Sequence, residues 1–125
     1  MKKYLTLYFY IFCLLPITLL AQTKPQTQIK IALVGELMST QEVGKIETLL
    51  KTFPNTTYNI ISLKEINQTK LKNFTHLWIH KTNINTPSAD EINAGNSIKE
   101  FVKNGGNLFL SREAVTLLNT WQIES

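Results

Sequence analysis

The feature that most constrains this chain is a regular alternation of short apolar runs with longer segments of helical periodicity. The apolar runs are rich in β-branched and aromatic residues, and each has the length of one buried strand. Alternating strands and helices build a mainly parallel sheet with right-handed crossovers and with helices on both faces. Four runs have this character: IKIALVG (29–35), TTYNIISL (56–63), THLWIH (75–80) and NLFLS (107–111).

The helical segments between these runs begin and end at recognisable residues. Ser39 or Thr40 can cap the first helix, and Pro54 ends it. Ser88 can cap the third helix, and Gly105 supplies its left-handed C-terminal residue. The sequence therefore predicts an α/β domain with a mainly parallel sheet of four strands and helices on both faces. Helices are predicted at 39–53, 88–104 and 112–121, and a short helix or turn is predicted at 64–74.

The first 21 residues have the parts of a secretory signal peptide: a basic start, an apolar run from Tyr4 to Leu20, and a small residue at Ala21. We expect cleavage near Ala21 and export to the periplasm or the extracellular space. An uncleaved membrane anchor is the alternative, because the apolar run is about as long as the shortest transmembrane helices. Residues 22–28 are polar and predict a disordered leader, which leaves residues 29–125 as the domain.

Cleavage would remove Cys13, the only cysteine, so the exported domain would have no disulfide, thiol nucleophile or thiolate metal ligand. It would also remove Lys2 and Lys3. Eleven basic and nine acidic residues would remain, and the net charge would fall from +4 to +2. No basic cluster is interleaved with aromatic residues, so nucleic acid is not an expected partner. We expect no cofactor and no metal, and contact with a membrane only through the signal peptide.

The runs IKIALVGE, FTHLWIH and SIKEFVKNGGNLFLSREAVTLL are spaced like strand units of the class I glutamine amidotransferase-like superfamily. The chain most resembles the exported, trehalose-utilisation-like (ThuA-like) branch, over residues 29–118. This resemblance implies a three-layer, flavodoxin-like fold, and we expect its four strands in the order 2-1-3-4. A sheet of only four strands would leave the fourth as an exposed edge, which proteins normally cover. We expect that the chain is the N-terminal portion of a longer protein, or that another chain covers this edge.

In catalytic members of that superfamily a cysteine lies in a strained turn, the nucleophile elbow, after this kind of strand. Laying the Gly-x-Cys-x-Gly pattern of the elbow over LSREA puts Leu110 and Ala114 at the glycines and Arg112 at the cysteine. No position matches, and no histidine follows in the chain. The resemblance therefore does not extend to amidotransferase chemistry.

Ser111 is a candidate nucleophile if a histidine can act as its base. His80 ends the third strand, beside the end of the fourth in the order 2-1-3-4, and Glu36 or Glu113 could orient it. Such a serine-type hydrolase requires Ser111 Oγ within about 3 Å of a His80 nitrogen. The alternative interpretation is that Ser111 caps the last helix, with Glu113 in its first turn.

The remaining candidates are ligand-binding residues at the carboxyl ends of the strands, where open α/β sheets bind their ligands. These candidates are Glu36, Ser39, His80, Ser111 and Arg112. We expect a non-catalytic, exported, amidotransferase-like domain that acts as a binding or scaffold module in carbohydrate handling. Its partner would be a carbohydrate or another small molecule, or further domains of a longer chain. The alternatives are the serine-type hydrolase and a fragment without independent function.

Overall fold

A computed structural model describes residues 27–123, which form a four-stranded, all-parallel sheet with the strand order β2-β1-β3-β4. The predicted fold class and strand order are confirmed. The predicted signal peptide, Cys13 and most of the leader lie outside the described residues. The strands are β1 (Ile29–Val34), β2 (Thr56–Ile61), β3 (His76–Lys81) and β4 (Asn107–Arg112). The helices are α1 (Thr40–Leu50), α2 (Gln68–Leu71), α3 (Ala89–Lys103) and α4 (Leu117–Trp121), with 3₁₀ turns at Leu63–Glu65 and Glu113–Thr116.

The two long helices begin with the same sequence pattern, Ser-x-x-Glu. Ser39 accepts a hydrogen bond from the backbone N–H of Glu42, and the Glu42 carboxylate accepts one from the backbone N–H of Ser39. Ser88 and Glu91 form the same reciprocal capping box at the start of α3. Each box satisfies N–H groups that a helix leaves unpaired at its first turn.

The turn between α3 and β4 depends on two glycines with different roles. Gly105 has a φ of +89°, which favours a residue without a side chain, and its N–H bonds the carbonyl of Val102. Gly106 bonds the Phe101 carbonyl and lies directly against the Phe101 ring. The predicted left-handed end of α3 at Gly105 is confirmed.

The sheet has a fully packed face and a partly covered face. On the first, Ala32, Val34, Leu77 and Ile79 pack in one core with residues of α2, α3 and α4. On the second, α1 buries Ile31 and Leu33 of β1. Tyr58 of β2, the register partner of Ile31, donates a hydrogen bond to Glu47 of α1 at 2.9 Å.

The last predicted helix is shorter than expected. Strand β4 continues through Ser111 to Arg112, whose positive φ of 57° turns the chain sharply. A 3₁₀ turn follows, and α4 begins only at Leu117. A backbone in this conformation cannot belong to a right-handed helix, so Arg112 cannot begin the predicted α-helix, and Glu113–Thr116 form the 3₁₀ turn instead. Along residues 27–123, no helix has both the length and the apolarity to cross a membrane.

Two helical glycines give a matched test of the packing. Gly44 of α1 faces open space, so Gly44→Ala should stabilise the domain by about 0.5–1 kcal/mol through helix propensity alone. An added Cβ at Gly95 of α3 would lie 2.5 Å from Cδ1 of the buried Trp121. We therefore expect Gly95→Ala to destabilise the domain by about 1–3 kcal/mol despite the same gain in propensity. Urea unfolding followed by circular dichroism measures both changes, and equal effects would contradict the packing of α4 on α3.

Candidate functional site

The candidate site lies where the carboxyl ends of β1, β3 and β4 meet the start of α1. His80 and Ser111 are register partners on β3 and β4, so their side chains project from the same face of the sheet. Ser111 Oγ lies 2.8 Å from His80 Nδ1. The distance required of a nucleophile and its base is therefore met.

Trp78 is the third member of this row of side chains. Its Nε1–H donates a hydrogen bond to Ser111 Oγ at 2.9 Å, and its ring meets Phe109 edge-on, with centroids 5.1 Å apart. The Trp78 N–H occupies one lone pair of Ser111 Oγ, so the hydroxyl hydrogen can point to His80 Nδ1. We assign the imidazole proton to Nε2 from this network. The interpretation of Ser111 as a helix cap is wrong, because its hydroxyl bonds across the sheet and Arg112 precedes the 3₁₀ turn.

The carboxylate at the centre of the site is Glu42. One of its oxygens, Oε2, accepts hydrogen bonds from the Ser39 N–H at 3.0 Å, the Ser39 hydroxyl at 2.9 Å and the Thr82 hydroxyl at 3.0 Å. The other, Oε1, lies 3.3 Å from Nη1 of Arg112 and 3.8 Å from Nε2 of His80. One side chain therefore contacts α1, the segment after β3, and the end of β4.

These hydrogen bonds lower the pKa of Glu42 to about 2. The largest cause is the hydrogen bond from the Ser39 backbone, followed by those from the Ser39 and Thr82 hydroxyls, and the nearby His80 adds a smaller effect. Hydrogen bonds to a carboxylate favour its charged form. Glu42 is therefore an anion across the physiological pH range.

Arg112 is the residue that falls at the cysteine when the Gly-x-Cys-x-Gly pattern is laid over LSREA. Its backbone has φ 57° and ψ −131°, a conformation that is strained for any residue with a side chain. In hydrolases that use a nucleophile elbow, the nucleophile sits in such a strained strand-to-helix turn. The turn at Arg112 therefore has the shape of an elbow, although its side chain is a cation that pairs with Glu42 and is 56% exposed.

Four of the five predicted ligand-binding residues belong to one group, and the fifth, Glu36, lines the cleft that adjoins this group. Ser39, His80, Ser111 and Arg112 all belong to the group around Glu42 and Trp78. Glu36 instead accepts a hydrogen bond from the backbone N–H of Leu63 and ties the β1–α1 loop to the end of β2. The carboxylate that faces His80 is Glu42, and not Glu36 or Glu113 as predicted for the hydrolase.

Sequence reasoning did not identify Glu42 or Thr82 as site residues. The Ser-x-x-Glu pattern explains Glu42 fully as a capping residue, and nothing local shows that its carboxylate also reaches β3 and β4. The available signal was topological. In the order 2-1-3-4, the start of α1 and the carboxyl ends of β3 and β4 lie at the same edge of the sheet.

An open cleft of about 680 Å³ adjoins this group between the β1–α1 loop and the segment after β3. The chain diverges to opposite sides of the sheet between β1 and β3, and open α/β sheets bind ligands at such a point. A hydrogen bond from the Thr82 N–H to the Leu37 carbonyl, at 3.2 Å, joins the two walls. Hydroxyl, amide and charged side chains dominate the lining, among them Glu36, Ser39, Gln41, Lys45, Thr82, Asn83 and Asn85.

A buried ion pair closes the base of the cleft. Lys81 Nζ lies 2.6 Å from Glu91 Oε1, and both side chains are almost fully buried. Burial alone would raise the pKa of Glu91, but the hydrogen bonds from Lys81 and Ser88 outweigh it and lower that pKa. The pair therefore fixes the end of β3 to the start of α3.

His76, the other histidine, lies at the opposite end of β3. Its Nδ1 is 2.8 Å from Thr75 Oγ1, and it takes no part in the site. Within residues 27–123, no three His, Cys, Asp or Glu side chains converge as metal ligands. The polar groups that the site offers to a ligand are hydroxyls, amides and the exposed guanidinium of Arg112.

Comparisons of the sequence with known proteins add no family to this description. No protein-family profile matches the chain, and no curated protein is similar enough to be matched.

The Lys81–Glu91 pair gives a test of how the base of the cleft is held. Lys81→Met should destabilise the domain by about 3–5 kcal/mol, because it leaves the Glu91 carboxylate buried without its partner. The control is Lys64→Met, since Lys64 and Asp90 form an exposed pair 3.9 Å apart. That substitution should cost less than about 1 kcal/mol in the same urea unfolding assay. Similar losses for the two variants would contradict the account of the buried pair.

Proposed function

We propose that this chain is a non-catalytic, exported domain of the amidotransferase-like type that binds a small polar ligand, such as a carbohydrate. The ligand would occupy the cleft beside Glu42 and Arg112. The resemblance in strand spacing and the presence of an elbow-shaped turn at the expected place support this proposal. The apolar segment at residues 4–20 supports export.

The observation that carries the proposal is the arginine at the elbow. A nucleophile elbow exposes a reactive oxygen or sulfur atom at its strained apex. Here the apex is Arg112, a guanidinium that remains protonated and cannot attack a carbonyl carbon. The strained backbone instead presents a fixed cation next to the Glu42 anion, at 3.3 Å. Such a pair can hold the hydroxyl or carbonyl groups of a ligand in one orientation.

The polar groups of this site are already oriented before a ligand binds. Glu42 accepts from Ser39 and Thr82, and Arg112 is held by Glu42 at one Nη while most of its side chain stays in solvent. Because these side chains have fixed partners, a ligand would order few additional groups on binding. Preorganisation of this kind lowers the entropic cost of association.

A serine-type hydrolase is the second candidate, and the 2.8 Å contact between Ser111 Oγ and His80 Nδ1 favours it. Two features of the geometry weigh against it. The carboxylate lies 3.8 Å from His80 Nε2, beyond hydrogen-bond distance, so it does not orient the base directly. Ser111 also lies one residue before the apex of the turn, with its hydroxyl bonded to Trp78 in the face of the sheet.

The variants Arg112→Gln and Ser111→Ala separate the two functions. Under the binding proposal, a panel of mono- and disaccharides includes one that raises the melting temperature of the protein. Arg112→Gln should weaken that binding by about tenfold or more, because it removes the fixed cation. Hydrolysis of p-nitrophenyl acetate by the wild type should not exceed that of Ser111→Ala.

The control is Ser97→Ala, which alters a serine in a cavity at the opposite edge of the sheet. It should change neither measurement. Ester turnover that Ser111→Ala abolishes and Ser97→Ala retains would replace the binding proposal with the hydrolase. Binding that is unaffected by Arg112→Gln would remove the ligand from this cleft.

A further inference from the structure

Beside the proposed ligand site, the partly covered face of the sheet carries a strip of exposed apolar side chains. Phe109 of β4 is 53% exposed and packs against Trp78 of β3. Leu49 near the end of α1 is 48% exposed, and Phe53 just after it is 51% exposed. These four residues, here called the apolar strip, form no part of the core cluster on the other face of the sheet.

Helical spacing places the α1 members of the strip on the side of the helix that faces β4. Glu42, Ile46 and Leu49 are separated by four and three residues, so they share one side of α1. Glu42 on that side contacts His80 of β3 and Arg112 of β4. The strip therefore lines a groove, with α1 as its wall and strands β3 and β4 as its floor.

The width of this groove fits one α-helix. Helix α1 covers β1, whose residues Ile31 and Leu33 are buried, and β4 is two strands away in the order β2-β1-β3-β4. Two strand spacings amount to about 9.6 Å, at roughly 4.8 Å for each. Packed helices in proteins lie about 8–10 Å apart. A helix lying over β4 would therefore contact α1 at an ordinary packing distance.

The charges beside the groove indicate what kind of helix it would accept. Lys45 precedes Leu49 by one helical turn and is exposed on the same shoulder of α1. Arg112 is exposed at the end of β4. The nearby anion, Glu42, already accepts hydrogen bonds from Ser39 and Thr82 and pairs with Arg112. Lys45, Arg112 and Glu42 together carry a net charge of +1 at this end of the groove.

We propose that the apolar strip is the docking surface for one amphipathic helix of a separate partner protein, with acidic residues flanking its apolar face. The apolar face of that helix would cover Trp78, Phe109 and Leu49, and its acidic flanks would lie near Lys45 and Arg112. This is the helix-in-groove mode of recognition, in which a few apolar anchors give the affinity and the rim charges give selectivity. The apolar anchors lie outside the cleft proposed for the ligand, whereas Lys45 and Arg112 border both surfaces.

Two synthetic peptides test the proposal on the whole protein. Both are 16-residue helices without tryptophan, with leucines at positions i, i+3, i+4 and i+7; one has glutamates beside the leucines and the other has lysines. Binding is followed by the fluorescence of Trp78, because Trp121, the second tryptophan, is buried with its N–H on the Glu91 carbonyl. The acidic peptide should bind about fivefold more tightly than the basic one, and Lys45→Gln should reduce that preference.

Phe109→Ser and Leu49→Ser should each weaken binding of the acidic peptide by about tenfold or more, since apolar anchors dominate such contacts. The matched control is Ile92→Ser, which alters an exposed isoleucine of α3 on the other face. It should leave the affinity within about twofold. Equal binding of the two peptides, or no binding at about 1 mM, would overturn the proposal. Self-association of the protein that Phe109→Ser abolishes would also overturn it, because a second copy would then be the occupant.

Discussion

The ion pair and hydrogen bonds of Glu42 tie together the parts of the fold that form the site. The carboxylate caps α1 through Ser39, accepts from Thr82 after β3, and pairs with Arg112 at the end of β4. These three segments lie far apart in the chain and meet only because the strand order brings them to one edge. The low pKa of this carboxylate comes first from the two Ser39 hydrogen bonds of the cap, and the Thr82 hydroxyl after β3 lowers it further.

A strained turn next to this carboxylate is consistent with a role in binding. A positive φ in a residue with a side chain costs on the order of 1–3 kcal/mol, and it persists where surrounding contacts compensate for it. At Arg112 those contacts include the pairing of β4 with β3 and the bond to Glu42. The strained backbone aims the guanidinium back over the sheet toward α1. The same turn in an enzyme would present a nucleophile there.

Much of the fold could be predicted from the sequence, because its signals are local. The four apolar runs, the caps at Ser39 and Ser88, and Gly105 each depend on a few neighbouring residues. Alternation and the rules of handedness narrow the possible strand orders, and the flavodoxin-like resemblance selects 2-1-3-4 among them. The boundary after β4 was wrong for a reason that is not local. Arg112 is held in a strained conformation by β3 and by Glu42, and the composition of REAVTLL does not encode that contact.

The site was predictable only in part, for a similar reason. The contact between Ser111 and His80 followed from register, once the strand order was known. The contacts of Glu42 with His80 of β3 and Arg112 of β4 could not be predicted, because the Ser-x-x-Glu pattern already explains the same carboxylate as a helix cap. Glu36 was a reasonable candidate by position, but its carboxylate is used by the Leu63 N–H. Whether Glu36 of the loop or Glu42 of the first turn of α1 reaches His80 depends on rotamers and on packing, and the sequence pattern specifies neither.

The most direct test of this account is the ionisation of Glu42, measured by ¹³C NMR of its carboxyl carbon as the pH is lowered. A depressed pKa means that the carboxylate stabilises the fold above its unfolded pKa of about 4.5, and that this stabilisation is lost as the pH falls toward 2. We predict a pKa of about 2 in the wild type and a clear rise in Ser39→Ala, which removes one of its donors. A midpoint near 4.5 in the wild type would show that the carboxylate does not organise the site.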